Sequence, residues 1–196
     1  MQKKTNSKDL FMAEVLLLLA DGFEEIEALG TVDILRRMQV NVTTAALKKI
    51  TVSGSHNITV TADALLDEVN IADFDAVVLP GGLPGSTNLY NDERVINILY
   101  NFAGENKITA AICAAPMVLD KAGLLEKCSF TMYPAEDLYK YLRDNKRPLA
   151  DRVVVDGKVI TGKGPGATAE FAAAIAAALN VPSGTIDQVL SGMFVK

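Results

Sequence analysis

One side chain in this sequence is a candidate nucleophile. Residues 108–116 read ITAAICAAP, with Cys113 at the end of a short apolar run, flanked by alanines and closed by a proline. A strand that ends at such a residue and turns at once into a helix makes a nucleophile elbow, a tight, strained turn that small neighbours permit. N–H groups at the start of the helix favour the thiolate there. The bland alternative is a buried apolar cysteine, the better bet on spacing alone. Cys128 has no elbow around it and reads as a structural thiol. A second reactive stretch is ADGFEEIE, which opens a helix with Glu24, Glu25 and Glu27. Acids at that end suit the helix dipole and repel phosphate. The helical wheel does not choose among the three.

Other chemistries lack their parts. His56 is the only histidine, and it has no partner at metal-ligand spacing, so the sequence points to no metal site. A Ser-His-Asp site and a Cys-His dyad both need that same residue, which reads as a solvated polar side chain near a turn. Two glycine-rich segments, LPGGLPGST (79–87) and GKGPGAT (162–168), resemble anion-binding turns. Neither has the spacing of a dinucleotide fingerprint or of a P-loop. Gly81 and Gly82 still attract notice, since paired glycines let backbone approach a ligand closely.

These residues need a scaffold, and the hydrophobic pattern supplies one. Strands are expected over Glu14–Ala20, Asn41–Ala46, Ala76–Leu79, Ile108–Ile112, Cys128–Met132, Arg152–Val155 and Val159–Thr161. Several are unbroken Val/Leu/Ile/Ala runs, as in parallel strands covered on both faces. Helices are expected over Glu24–Met38, Asp92–Glu105, Ala114–Ala122, Glu136–Asn145, Ala167–Leu179 and Pro182–Leu190. Asp156-Gly157 marks a hairpin, and the alternation in residues 50–62 a small antiparallel ribbon. This order implies a doubly wound, three-layer α/β/α sandwich with a mainly parallel sheet, whose chemistry lies beyond the carboxyl ends of the strands. ADGFEEIE, LPGGLPGST, CAAP and GKGPGAT all fall there.

The chain has 196 residues, of which 49% are hydrophobic and 22% charged, enough for one domain with a sizeable core. We expect that domain over residues 13–196, preceded by a loose polar tail over residues 1–12, with Met12 as an alternative start. The run Val15–Ala20 is too short to span a membrane and reads as a buried strand. A net charge of −5 argues against a nucleic-acid partner. Two cysteines make no disulfide framework, so the expected setting is reducing and cytoplasmic.

Four motifs, ADGFEEIE, DAVVLPGG, AAICAAP and GKGPGATAEFA, occur together in this order. As a set they resemble the ThiJ/PfpI (DJ-one) family, in the branch near its Parkinson-linked member, from about Glu14 to the C-terminus. The resemblance implies a flavodoxin-like fold and a homodimer in which the first helix and the ribbon of residues 50–62 face the partner, with His56 close to it. It further implies that Cys113 is the reactive cysteine, Glu27 its acidic partner, and the N–H groups of Gly82 and Ala114 the oxyanion donors. The activity implied is a glyoxalase or deglycase acting on methylglyoxal, glyoxal or their adducts, with no cofactor or metal. The alternative is a redox-sensing or chaperone-like protein whose cysteine oxidises. Thiazole-phosphate biosynthesis and intracellular proteolysis are older labels in the family. One position departs: TMYPAE puts Tyr133 where many members carry a histidine, which argues against Cys-His proteolysis.

Overall fold

The computed structural model describes residues 12–195. The expected tail lies outside the described residues except for Met12. The chain runs β1 (Glu14–Leu19), α1 (Glu25–Arg37), β2 (Asn41–Ala46), β3 (Thr51–Ser53), β4 (Thr59–Thr61) and β5 (Ala64–Leu65). It continues with β6 (Ala76–Leu79), α2 (Gly85–Asn91), α3 (Glu93–Gly104), β7 (Ile108–Ile112), α4 (Pro116–Lys121) and α5 (Glu136–Tyr139). It ends with β8 (Val153–Asp156), β9 (Val159–Gly162), α6 (Thr168–Ala178) and α7 (Ser183–Gly192).

Seven strands form one sheet in the order β5-β2-β1-β6-β7-β9-β8. Every pairing is parallel except the β8–β9 hairpin. Side chains alternate between the faces of a strand, so the solid Val15–Leu19 run fills two cores at once. Leu16 and Leu18 pack with Leu89, Leu99, Phe102 and Met117 of α2, α3 and α4. Val15, Leu17 and Leu19 pack with Ala28, Leu35, Phe171 and Ile175 of α1 and α6. A strand wet on one face would have needed polar residues at alternate positions, which is why this run carries none.

The sequence-based elements shift in three places. Cys128–Met132 forms no strand. β9 is already paired on both sides, so the segment binds by other groups: the Ser129 N–H donates to the Asp156 carboxylate at 2.8 Å, and the Thr131 N–H to the Thr161 hydroxyl at 2.9 Å. The helix expected over Glu136–Asn145 stops at Tyr139, with only a 3-10 turn at Arg143–Asn145. There the buried carboxylate of Asp120 accepts the Arg143 N–H at 2.7 Å, taking a donor that a continuing helix would use. α4 starts at Pro116 rather than Ala114, because Cys113 is left-handed and a proline is well suited to the first helical turn. α2 and β5 are additional to the sequence reading: residues read as a turn also open a helix, and a two-residue strand is too short to leave a periodic trace.

Candidate active site

Cys113 sits one residue beyond the end of β7 with φ +64°. For a residue with a Cβ this left-handed conformation is strained by roughly 1–3 kcal/mol. Two backbone hydrogen bonds hold it there. The Cys113 N–H donates to Gly162 O at the end of β9, and Cys113 O accepts the Tyr133 N–H, both at 2.8 Å. The following residues, Ala114 and Ala115, are buried and small, so the turn closes without crowding.

The acidic stretch divides its labour in a way the helical wheel does not show. Glu24 caps α1, its carboxylate accepting the Glu27 N–H at 2.7 Å, while its own N–H donates to Gly81 O at 2.9 Å. Glu25 turns to the ribbon: it accepts the His56 N–H at 2.6 Å and meets His56 Nδ1 at 2.8 Å. Burial alone would raise the Glu25 pKa, but the His56 ring and the N–H groups around the carboxylate prevail and hold it at about 2. The hydrogen bond with Glu25 in turn raises the pKa of His56. His56 is therefore more than a solvated turn residue: its ring is exposed, yet it clamps the ribbon to the start of α1. Glu24, Glu25 and His56 also form a cluster within metal-ligand distance, although histidine was expected to lack such partners; Glu25 and His56 engage each other, and the Glu24 carboxylate caps α1 at the Glu27 N–H.

Glu27 is fully buried, and its carboxyl is hydrogen-bonded to Cys113. Its Oε2 accepts the Gly81 N–H at 2.8 Å, while Oε1 accepts no conventional hydrogen bond among the described residues. Gly81 is where the two side chains converge. A Cβ there would lie 2.5 Å from Glu27 Oε2 and 2.6 Å from Cys113 Cβ, so only glycine leaves room for the pair. Gly82 follows with φ +88°, and a Cβ there would collide with the backbone of Gly22 and Glu24. The paired glycines thus let the Glu27 and Cys113 side chains meet.

The electrostatics follow from this packing. Burial raises the Glu27 pKa to about 7, against the opposing pull of the Cys113 hydrogen bond and with a push from Glu24. Burial also pushes the Cys113 thiol up, and an ionised Glu27 pushes it further, while the N–H groups of Gly82 and Ala114 pull it down. Two adjacent buried anions repel, so the pair carries at most one negative charge near neutral pH. The thiolate expected from the helix-start donors is not the resting form beside a charged Glu27, since their pull is outweighed. The arrangement is a thiol that loses its proton to, or shares it with, one carboxylate, with two N–H donors at the sulfur. Cys128, partly exposed, has no such partner; burial and then the Asp156 charge raise its pKa.

A strained cysteine after a central strand, a buried glutamate from the first helix and a Gly-Gly turn between them are joined here on a parallel seven-stranded sheet. Residues 13–178 match the DJ-1/PfpI family, and the chain belongs to it. It is 41% identical to "Protein DJ-1 homolog B" of Arabidopsis thaliana over 83% of its length, spanning 37% of the length of that protein. It is 35% identical to a protein of Pyrococcus abyssi named a deglycase, covering 78% of this chain and 90% of that one. The crystal structure of Drosophila melanogaster DJ-1beta superposes with a TM-score of 0.87 at 37% identity, covering 94% of this chain and 99% of the other. The flavodoxin-like α/β fold is thereby shown. No described helix is long and apolar enough to cross a membrane.

Proposed function

We propose that the protein is a cofactor-independent glyoxalase or deglycase acting on methylglyoxal, glyoxal or their adducts. The observation that carries this reading is the buried Glu27 carboxyl, poised at about 7, beside the strained Cys113. A proton carrier tuned near working pH next to a nucleophile is what isomerisation of a small dicarbonyl requires. The deglycase name of the Pyrococcus relative points the same way.

With methylglyoxal, Cys113 sulfur forms a bond to the aldehyde carbon and Glu27 takes the thiol proton. The N–H groups of Gly82 and Ala114 stabilise the oxyanion, which Glu27 then protonates to give a neutral hemithioacetal. The Glu27 carboxylate next removes the hydrogen from that carbon while the ketone oxygen gains a proton, giving an enediol. The proton then returns to the adjacent carbon as the hydroxyl on the sulfur-bearing carbon gives up its own, leaving a thioester of lactate. Water attacks the thioester, the carbon–sulfur bond breaks, and lactate leaves as the thiol regains its proton. Tyr133, half-exposed beside Cys113, supplies no imidazole for a protease-type dyad.

The test is lactate formation from methylglyoxal without glutathione. Cys113→Ser is expected to lower turnover at least about 100-fold with the fold retained, and Cys128→Ser to leave it within about 2-fold. Equal losses in the two variants would remove Cys113 from its role. A redox reading competes, supported by a structural relative described as "Toxoplasma gondii DJ-1, oxidized", 29% identical with a TM-score of 0.85. In that reading peroxide takes the Cys113 thiolate to sulfenate and then sulfinate. A gain of two oxygens at Cys113 without any lactate production favours it.

A further inference from the structure

The GKGPGAT segment has no part in the chemistry above, yet it lies beside it. A groove of about 300 Å³ runs between Tyr133–Pro134 on one side and Lys163, Gly164 and Pro165 on the other, with Arg152 at its margin. Both walls are anchored to the nucleophile. Tyr133 N–H donates to Cys113 O, and Gly162 O, one residue before Lys163, accepts the Cys113 N–H. Cys113 is not part of its lining, but both walls are hydrogen-bonded to the peptide unit of Cys113, so the groove is the neighbour of the cysteine.

Its charge is one-sided, with two cations and no carboxylate along its walls. Arg152 is already committed: it pairs with Glu170 at 2.7 Å and donates to Gly166 O. Lys163 is different. Its ammonium donates to Ala150 O at 2.8 Å, and among the described residues no carboxylate pairs with it. An ammonium has three donors, so a half-buried cation with one neutral partner retains capacity for an incoming anion.

We propose that this groove is a subsite for the anionic end, carboxylate or phosphate monoester, of a carbonyl compound attacked at Cys113, and that Lys163 is its specificity-determining cation. The proposal rests on the function proposed above and narrows its substrate class to α-oxoaldehydes bearing an acid group. Arg152 serves as a positioning residue: bound to Glu170 and to Gly166 O, it fixes the turn that carries Lys163.

The experiment compares kcat/KM for methylglyoxal, 4,5-dioxopentanoate and the phosphate ester of hydroxypyruvaldehyde in the wild type, Lys163→Gln and Lys163→Arg. A charge-assisted hydrogen bond is worth about 10–100-fold in binding. The anion-to-methylglyoxal ratio of kcat/KM is expected to fall by that factor in Lys163→Gln, through KM, for at least one acid, and to recover largely in Lys163→Arg. Which acid loses its advantage identifies the source of the anion. An unchanged ratio for both acids overturns the proposal. If the wild type turns over none of the three, the function proposed above fails, and the subsite is judged by alkylation instead. Iodoacetate and iodoacetamide differ in charge, and their relative rates at Cys113 can be read by peptide mass spectrometry. The proposal expects Lys163→Gln to cut the iodoacetate-to-iodoacetamide ratio at least about 3-fold, and an equal ratio in the two proteins overturns it.

Discussion

Glu27 and Glu25 lie two residues apart and are driven in opposite directions by their surroundings. Glu27 enters an apolar pocket with one N–H donor at Oε2, and burial carries it from an ordinary 4.5 to about 7. Glu25 is also buried but surrounded by donors, and it falls to about 2. The sign of each contribution to stability follows. A carboxyl whose pKa is raised on folding adds stability that is fully present below its unfolded value and is lost as pH rises through the folded value. For Glu27 that window is pH 4.5 to 7. Glu25 works the other way, adding stability above 4.5 that is lost as pH falls toward 2. Denaturant titrations of the wild type and Glu27→Gln at several pH values check the first claim. The stability of the wild type relative to the variant is expected to fall by at most roughly 1.4 kcal/mol per unit across that window. Parallel curves would show that Glu27 is not held protonated by the fold. The wild-type rate profile for methylglyoxal is expected to show an inflection near pH 7, and the same substitution to abolish turnover.

At the scale of elements, the site is assembled where four connections leave the carboxyl ends of β1, β6, β7 and β9. One further connection, residues 133–150, holds Tyr133 beside Cys113, and its anchor is Asp120 on α4. Asp120 is fully buried, pairs with Lys146 at 2.7 Å and accepts the Arg143 N–H. Removing one partner from a buried ion pair strands the other. Asp120→Ala is therefore expected to cost on the order of 3 kcal/mol, the low end of that range because Lys146 keeps some exposure. Chemical denaturation measures it, and a loss below about 1 kcal/mol would mean that the segment is held by other contacts. The same anchor explains why the periodic pattern after Glu136 does not continue as a helix.

For the whole molecule, the expectation of a homodimer becomes a proposal with a surface attached. Ile26 and Leu29 of α1 and Ile58 of the ribbon are exposed, Ile26 by 59% and Ile58 by 53%. These are the two elements assigned to the partner, and the Glu25–His56 clamp fixes one against the other. Light scattering at micromolar concentration is expected to give about twice the chain mass of 21.0 kDa, and Ile26→Asp with Ile58→Asp to shift it toward one chain. A monomer mass for the wild type would refute the assembly.

The fold class was legible because parallel strands covered on both faces must be apolar nearly throughout, and Val15–Leu19 and Ala76–Leu79 have that pattern without tertiary help, as does Ile108–Ile112 but for Thr109. Cys113 stood out for a local reason too, since a strained turn needs the alanines written on either side of it. Other features depended on contacts between residues distant in sequence. Glu27 is separated from Gly81 by 54 positions, and only the parallel pairing of β1 with β6 brings the two connections together. No spacing within ADGFEEIE distinguishes the carboxylate that caps a helix from the one that clamps a ribbon or the one that faces a thiol. Those roles depend on which backbone N–H groups and which apolar walls arrive from elsewhere. The failed strand at Cys128–Met132 has the same origin. Its composition suits a strand, but its Ser129 and Thr131 N–H groups are taken by the side chains of Asp156 and Thr161, partners that only the assembled sheet presents.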